Sequence, residues 1–223
     1  QIRAKGAAPE QRRVIRTPRG TVVARSGDAN ASIFEPVPTL GRANALSFAA
    51  TWLERRPTRS LLGFHKVKSF DEFRAVCSKS AGSCYSLIYA DRDTVGWVLA
   101  AEVPVRKSGF GSVPLAGWLD NAGWQSIVPS DQLPWSRNPA EGFVSCANNK
   151  PVADDTGGAF LGHDFLDGFR QRRITEQLAS RDDWTIERMA ALQIDVQSLP
   201  FADVRHILLA LKPQTTEAAR ALE

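Results

Sequence analysis

The chain has 223 residues, 43% of them hydrophobic and 23% charged, with a formal net charge of +4. That length buries one substantial core or two small ones, and that balance is a globular protein's, which argues against disorder. An apolar run of roughly 20 residues, enough to span a bilayer, is absent, and Gln1-Ile2-Arg3-Ala4-Lys5 lacks a signal peptide's apolar stretch. The excess cations sit in short clusters such as Arg12-Arg13, Arg55-Arg56 and Arg170 with Arg172 and Arg173, too sparse for a nucleic-acid surface. Cys77, Cys84 and Cys146 show no metal-binding spacing. Cys77 and Cys84 either pair across a turn at Gly82-Ser83 in an oxidising compartment or stay free, the plainer reading.

In chain order, Arg13 to Arg16 and Thr21 to Ala24 read as short strands joined by a turn at Pro18-Arg19-Gly20. Ser26 to Gly41, rich in Gly, Asn, Asp and Pro, reads as a loop before a strand around Ala45 to Thr51. Ser69-Phe70-Asp71-Glu72 is a capping box opening a helix that ends near Ser80. Tyr85 to Tyr89 and Val95 to Ala101, joined by Asp91-Arg92-Asp93, predict a hairpin. From Lys107 to Asn149 the glycines, prolines and Trp118, Trp124 and Trp135 predict a long irregular excursion packed by its own aromatics. Phe165 to Leu178, Thr185 to Gln197 and Phe201 to Leu211 carry helical spacing, with Thr185 and Pro200 as start signals. The pattern is α+β: a β-rich first part and a helical last quarter. Residues 1–223 read as a single incomplete domain, with sheet and Trp/Pro-rich loop over 1–160 and helices over 161–223.

Between Leu115 and Ile174 the chain holds Gly117-Trp118, Trp124-Gln125, Val128-Pro129, Leu133-Pro134, Asn138-Pro139, Gly142-Phe143-Val144 and Ala147-Asn148-Asn149-Lys150-Pro151. In this order these elements resemble the β-chain of the penicillin acylases and of the related acyl-homoserine-lactone and aculeacin acylases. Upstream, Tyr89 to Asp93 with Gly96-Trp97 resembles the family's hairpin. Arg16-Thr17-Pro18-Arg19-Gly20 resembles its Thr-x-His-Gly-Pro turn. Downstream, Phe169 to Ile174 and Leu192 to Ser198 match its helical segment, so the resemblance covers about residues 12 to 212.

The resemblance implies part of the four-layer αββα fold of N-terminal-nucleophile hydrolases, and hydrolysis of a linear amide through an acyl-serine. In that chemistry the serine's own α-amine, with a pKa near 8, takes the hydroxyl proton. Gln1 stands first, and Ser83 and Ser112 lie on the wrong side of the matching motifs, so the nucleophile is expected outside this chain. Asn148 takes the place of the family's oxyanion-hole asparagine, and Arg170 that of an arginine near its catalytic centre. Phe64 and Tyr85 align with positions lining the acyl pocket, where aromatics are equally expected of core packing. Asn149 suits a turn, and His65, His163 and His206 match nothing catalytic. Arg19 stands at the family's histidine, Thr21 at its proline and Ser86 where asparagine is common, and the turn after Asp93 lacks the usual glycine.

The implied substrates are acylated amines such as β-lactam antibiotics or acyl-homoserine lactones, and the implied partners are the remaining α- and β-chain segments of the same precursor. No cofactor is required for catalysis. The resemblance also implies the structural calcium that relatives often hold, for which Asp154-Asp155 alone supplies too few oxygens. The family implies a periplasmic or secreted location. The alternative reading is an inactive binding module or a truncated relic of the same fold.

Overall fold

A computed structural model describes residues 5–6, 8, 13–25, 45–53, 62–80, 84–153, 158–212 and 216–221. The expected loop at 26–41 and the pair Asp154-Asp155 lie outside these residues. Chain contacts group into two compact units. One draws on Gln1–Tyr85, Leu99–Leu133 and Gly157–His163, the other on Ser86–Val98, Pro134–Thr156 and Asp164–Glu223.

The first unit opens on an antiparallel meander of β1 (Arg16–Thr17), β2 (Gly20–Arg25) and β3 (Ala45–Phe48). The β1–β2 turn falls where Pro18 and Arg19 predict it, with Thr17 paired to Gly20 and the Thr17 hydroxyl accepting the Arg19 amide at 3.0 Å. Gly20 has φ 122°, and a Cβ there would lie 2.4 Å from the Phe48 carbonyl oxygen, so β3 approaches this closely only over glycine. The predicted strand around Ala45 to Thr51 is shorter, giving way to a 3-10 turn at Thr51–Leu53.

Helix α1 (Phe70–Cys77) starts where the capping box places it: the Ser69 hydroxyl accepts the Glu72 amide at 3.3 Å. Glu72 reaches one residue further back than the reciprocal box requires and accepts the Lys68 amide at 2.8 Å. Phe70, Phe73 and Cys77, at helical spacing on one stripe, are buried.

The expected irregular excursion contains strands. β6 (Pro104–Arg106) pairs antiparallel with β7 (Trp124–Ile127), and Val128 donates to the Val103 carbonyl at 2.8 Å. Its aromatics do not pack it throughout, since Trp118 is 74% exposed. Arg19 organises part of this segment instead. Its Nε donates to the Gly117 carbonyl at 3.2 Å, Nη2 to Leu119 at 3.1 Å and Nη1 to Ala122.

Mostly within the second unit, β4 (Tyr85–Ala90) and β5 (Val95–Ala100) form the predicted hairpin, and β8 (Trp135–Arg137) pairs antiparallel with β5. Asp91 makes the turn: its Oδ1 accepts the amides of Asp93 at 2.9 Å and Thr94 at 2.7 Å. The Tyr89 hydroxyl and these amides hold the Asp91 carboxyl below its usual range.

Helices α2 (Phe169–Ala179), α3 (Ile186–Gln193) and α4 (Leu199–Ala210) follow, with a short α5 (Thr216–Ala221) that the spacing does not predict. Thr185 caps α3 by accepting the Arg188 amide. Ser198 caps α4 by accepting the Phe201 amide, which leaves Pro200 in the first turn, where its missing N–H is not needed. The segment from Phe165 to Gly168 precedes α2 instead of belonging to it. Among the described residues no helix is long and apolar enough to cross a membrane.

All three cysteines are free thiols, Cys77 buried and Cys84 and Cys146 exposed. Burial pushes the Cys77 thiol up to about 11, which keeps it protonated and unreactive at neutral pH. A disulfide-exchange reagent added to the native chain at pH 8 is expected to modify Cys84 and Cys146 promptly and Cys77 only after denaturant is added. Three prompt thiols would contradict this burial.

Candidate active site: an asparagine held by an arginine

The segment before α2 carries one of two asparagines with left-handed backbone among the described residues, the other being Asn138. Asn148 has φ 63°, the left-handed region, which asparagine enters more readily than other non-glycine residues. Ala147 beside it is buried, and the backbone at this point is fixed by its neighbours. Asn149 Oδ1 accepts the Ala147 amide at 3.0 Å, Asn149 Nδ2 donates to the Lys150 carbonyl at 2.9 Å, and the Asn148 carbonyl accepts from Leu166 at 3.2 Å. Asn149 therefore builds the turn and leaves the Asn148 side chain to project from it.

Helix α2 then fixes that side chain. Arg170, in the first turn of α2, donates through Nη2 to Asn148 Oδ1 at 2.8 Å and to the Ala147 carbonyl at 2.9 Å. A guanidinium has no acceptor, so it must face the oxygen of the asparagine amide and not the nitrogen. The Asn148 NH2 group is thereby turned away from Arg170. Its two N–H bonds have no acceptor among the described residues, and Asn148 is exposed. The result is a pair of preoriented neutral donors backed by a positive charge.

One residue along, a second attachment secures the same helix to the same segment. Gln171 Nε2 donates to Ser145 Oγ at 3.2 Å and Thr175 Oγ1 at 2.9 Å, and the two hydroxyls lie 3.1 Å apart. The other arginines of α2 serve packing. Arg172 bridges to Asp203 of α4 at 3.3 Å and to Glu176, while Arg173 pairs with Asp195 at 2.6 Å. Ser145, Gln171 and Thr175 escape sequence reasoning because hydroxyl and amide residues at i, i+4 on a helix are usually solvated.

Phe64 and Tyr85 belong to the first unit. The Phe64 ring lies tilted on Phe73, centroids 5.6 Å apart, and so helps seat α1. Tyr85 is 54% exposed at the start of β4. His163 stacks edge-on against Phe110 and Phe160 at 4.7 and 4.8 Å, a packing role. Among the described residues no group of three or more His, Cys, Asp or Glu is arranged to hold a metal ion.

The family model for penicillin amidase matches residues 1–223. The chain belongs to the penicillin amidase family.

Among curated members, an acyl-homoserine lactone acylase, QuiP, of Pseudomonas syringae pv. tomato is 26% identical over 89% of this chain and 23% of its own length. The penicillin acylase 2 proenzyme of a Pseudomonas species is 30% identical over 58% of this chain and 16% of its own length. The chain thus spans less than a quarter of these relatives. The thermostable penicillin G acylase of Alcaligenes faecalis superposes with a TM-score of 0.68 at 24% identity, covering 99% of this chain and 39% of that one. This penicillin amidase chain therefore shares that acylase's fold, with mixed helices and antiparallel sheets.

Two measurements check the local physics. Glycine enters the left-handed region without a Cβ penalty, so Asn148→Gly is expected to hold thermal stability within about 0.5 kcal/mol, whereas Asn148→Ala loses about 1 kcal/mol. Equal losses would mean that φ at 148 is not the constraint. The Arg173 guanidinium holds the Asp195 carboxyl below its usual range, a stabilisation present above about pH 4 and lost as pH falls through the folded-state value. Asp195→Asn is therefore expected to flatten the fall in melting temperature between about pH 5 and 3, and an unchanged acid slope would count against the pair.

Proposed function

We propose that this chain is the part of a linear-amide acylase that supplies the oxyanion-stabilising donor. The observation that carries the reading is the Arg170 hydrogen bond to Asn148 Oδ1, which aims the Asn148 amide N–H groups outward. A serine Oγ, supplied from outside this chain, attacks the amide carbonyl carbon while its own α-amine takes the hydroxyl proton. The carbonyl π pair moves onto oxygen, and Asn148 Nδ2–H donates to that oxyanion. Collapse expels the protonated amine, and water then hydrolyses the acyl-serine. Arg170 is a positioning residue: its charge polarises the Asn148 amide and its fork prevents the flip that would present oxygen to an oxyanion.

Similarity to an acyl-homoserine lactone acylase and a penicillin acylase supports acylated amines as substrates, β-lactam antibiotics or acyl-homoserine lactones among them. Tyr85 is the stronger of the two acyl-pocket candidates, since the Phe64 ring is engaged with Phe73. The remaining α- and β-chain segments of a precursor would complete the αββα sandwich. Exposed apolar side chains such as Ile186 at 84% and Val196 at 94% support this, as they are the kind of surface such segments cover.

With the chain expressed together with its genomic flanking sequence, Asn148→Gly is expected to lower kcat for amide hydrolysis about a hundredfold to a thousandfold while the protein stays folded. Turnover within about threefold of wild type would remove Asn148 from the oxyanion role. Absent turnover in the wild type would favour the binding-module reading.

A further inference from the structure

The first unit holds a cavity of about 700 Å³, walled by Leu46, Phe48, Trp52 and Trp124 and reached by the side chains of Arg19 and Arg106. Among the described residues no Asp or Glu lines it. Its size falls in the range of small-molecule sites, and its walls are apolar with a few polar groups, the composition such sites share.

The two arginines differ in how they are used. Arg19 spends three donors on the carbonyls of Gly117, Leu119 and Ala122, which fixes its guanidinium on one wall and leaves one N–H on each Nη. Arg106, half-buried on β6, has neither hydrogen bond nor ion pair through its side chain among the described residues. It lies against Gly111, where a Cβ would come within 2.7 Å of Arg106 Nε, so a side chain at 111 would push the guanidinium out of place. Gly111 has φ 83°, which already selects glycine there.

A half-buried guanidinium whose donors are unfilled among the described residues, beside aromatic walls and with no described acid in the lining, is matched by one kind of small molecule. We propose that this cavity binds a singly charged carboxylate carried on an aromatic or acyl body. The carboxylate pairs with the planar fork of Arg106, and the apolar body lies among Phe48, Trp52 and Trp124. The positive wall formed by Arg19 adds to the selection for an anion. The proposal rests on this cavity alone and is independent of the amidase reading.

Calorimetric titration of the full chain with 2-naphthoate and with its neutral counterpart 2-naphthamide tests it. The carboxylate is expected to bind about tenfold more tightly than the amide, a preference that shrinks to within about twofold in Arg106→Gln. Arg106→Lys, which keeps the charge but loses the fork, is expected to fall between the two. Equal binding of carboxylate and amide by the wild type, or binding of neither, overturns the proposal, as does a preference that survives in a folded Arg106→Gln chain. Should Arg106→Gln not fold, the wild-type comparison and Arg106→Lys still decide it.

Discussion

A guanidinium can only donate, and the organisation around Asn148 follows from that constraint. Because Arg170 contacts both Asn148 Oδ1 and the Ala147 carbonyl, one side chain fixes an asparagine rotamer, its amide orientation and the seat of helix α2. Without Arg170 the Asn148 amide has two nearly isosteric orientations, one of which presents a lone pair where a developing oxyanion would sit. The buried Ala147 and the Ser145, Gln171 and Thr175 cluster hold the two segments at the spacing this contact needs. The left-handed backbone at Asn148 is tolerated because those contacts over-determine it.

The same use of arginine recurs in the first unit with the opposite partner set. Arg19 addresses three main-chain carbonyls and ties a hairpin turn to a segment 98 to 103 residues later. Backbone carbonyls cannot be mutated away, which makes such an anchor insensitive to the sequence of the loop it holds. Arg172 and Arg173 show the more ordinary use, pairing with carboxylates across helices. Four arginines thus do three physically different jobs, set by what the fold brings within reach of each fork.

What was legible in the sequence was local. The Ser69 cap, the Asp91 turn and the Pro18-Arg19 turn each depend on residues within four positions, and each forms where the spacing predicts it. Asn148 and Arg170 came from resemblance to a family, because nothing in their spacing alone separates them from a turn residue and a surface cation. The strands β6, β7 and β8 were missed because each is three or four residues long and set among prolines and glycines, where only a distant partner makes a strand. Arg19 and Arg106 gave no signal either, since their meaning lies in carbonyls and aromatic walls that the fold assembles from distant segments. The Glu72 contact with Lys68 shows a finer limit: the motif fixes the helix start but not which orphan amide the carboxylate chooses.

Arg170 holds the Asn148 side-chain amide in one orientation. Nitrogen-15 relaxation of the Asn148 Nδ2 group tests it directly. In the wild type an order parameter near the rigid-backbone value of about 0.85 is expected, falling below about 0.6 in Arg170→Met, with Asn149 unchanged in both. An Asn148 amide already mobile in the wild type, or one just as rigid without the guanidinium, would contradict the account.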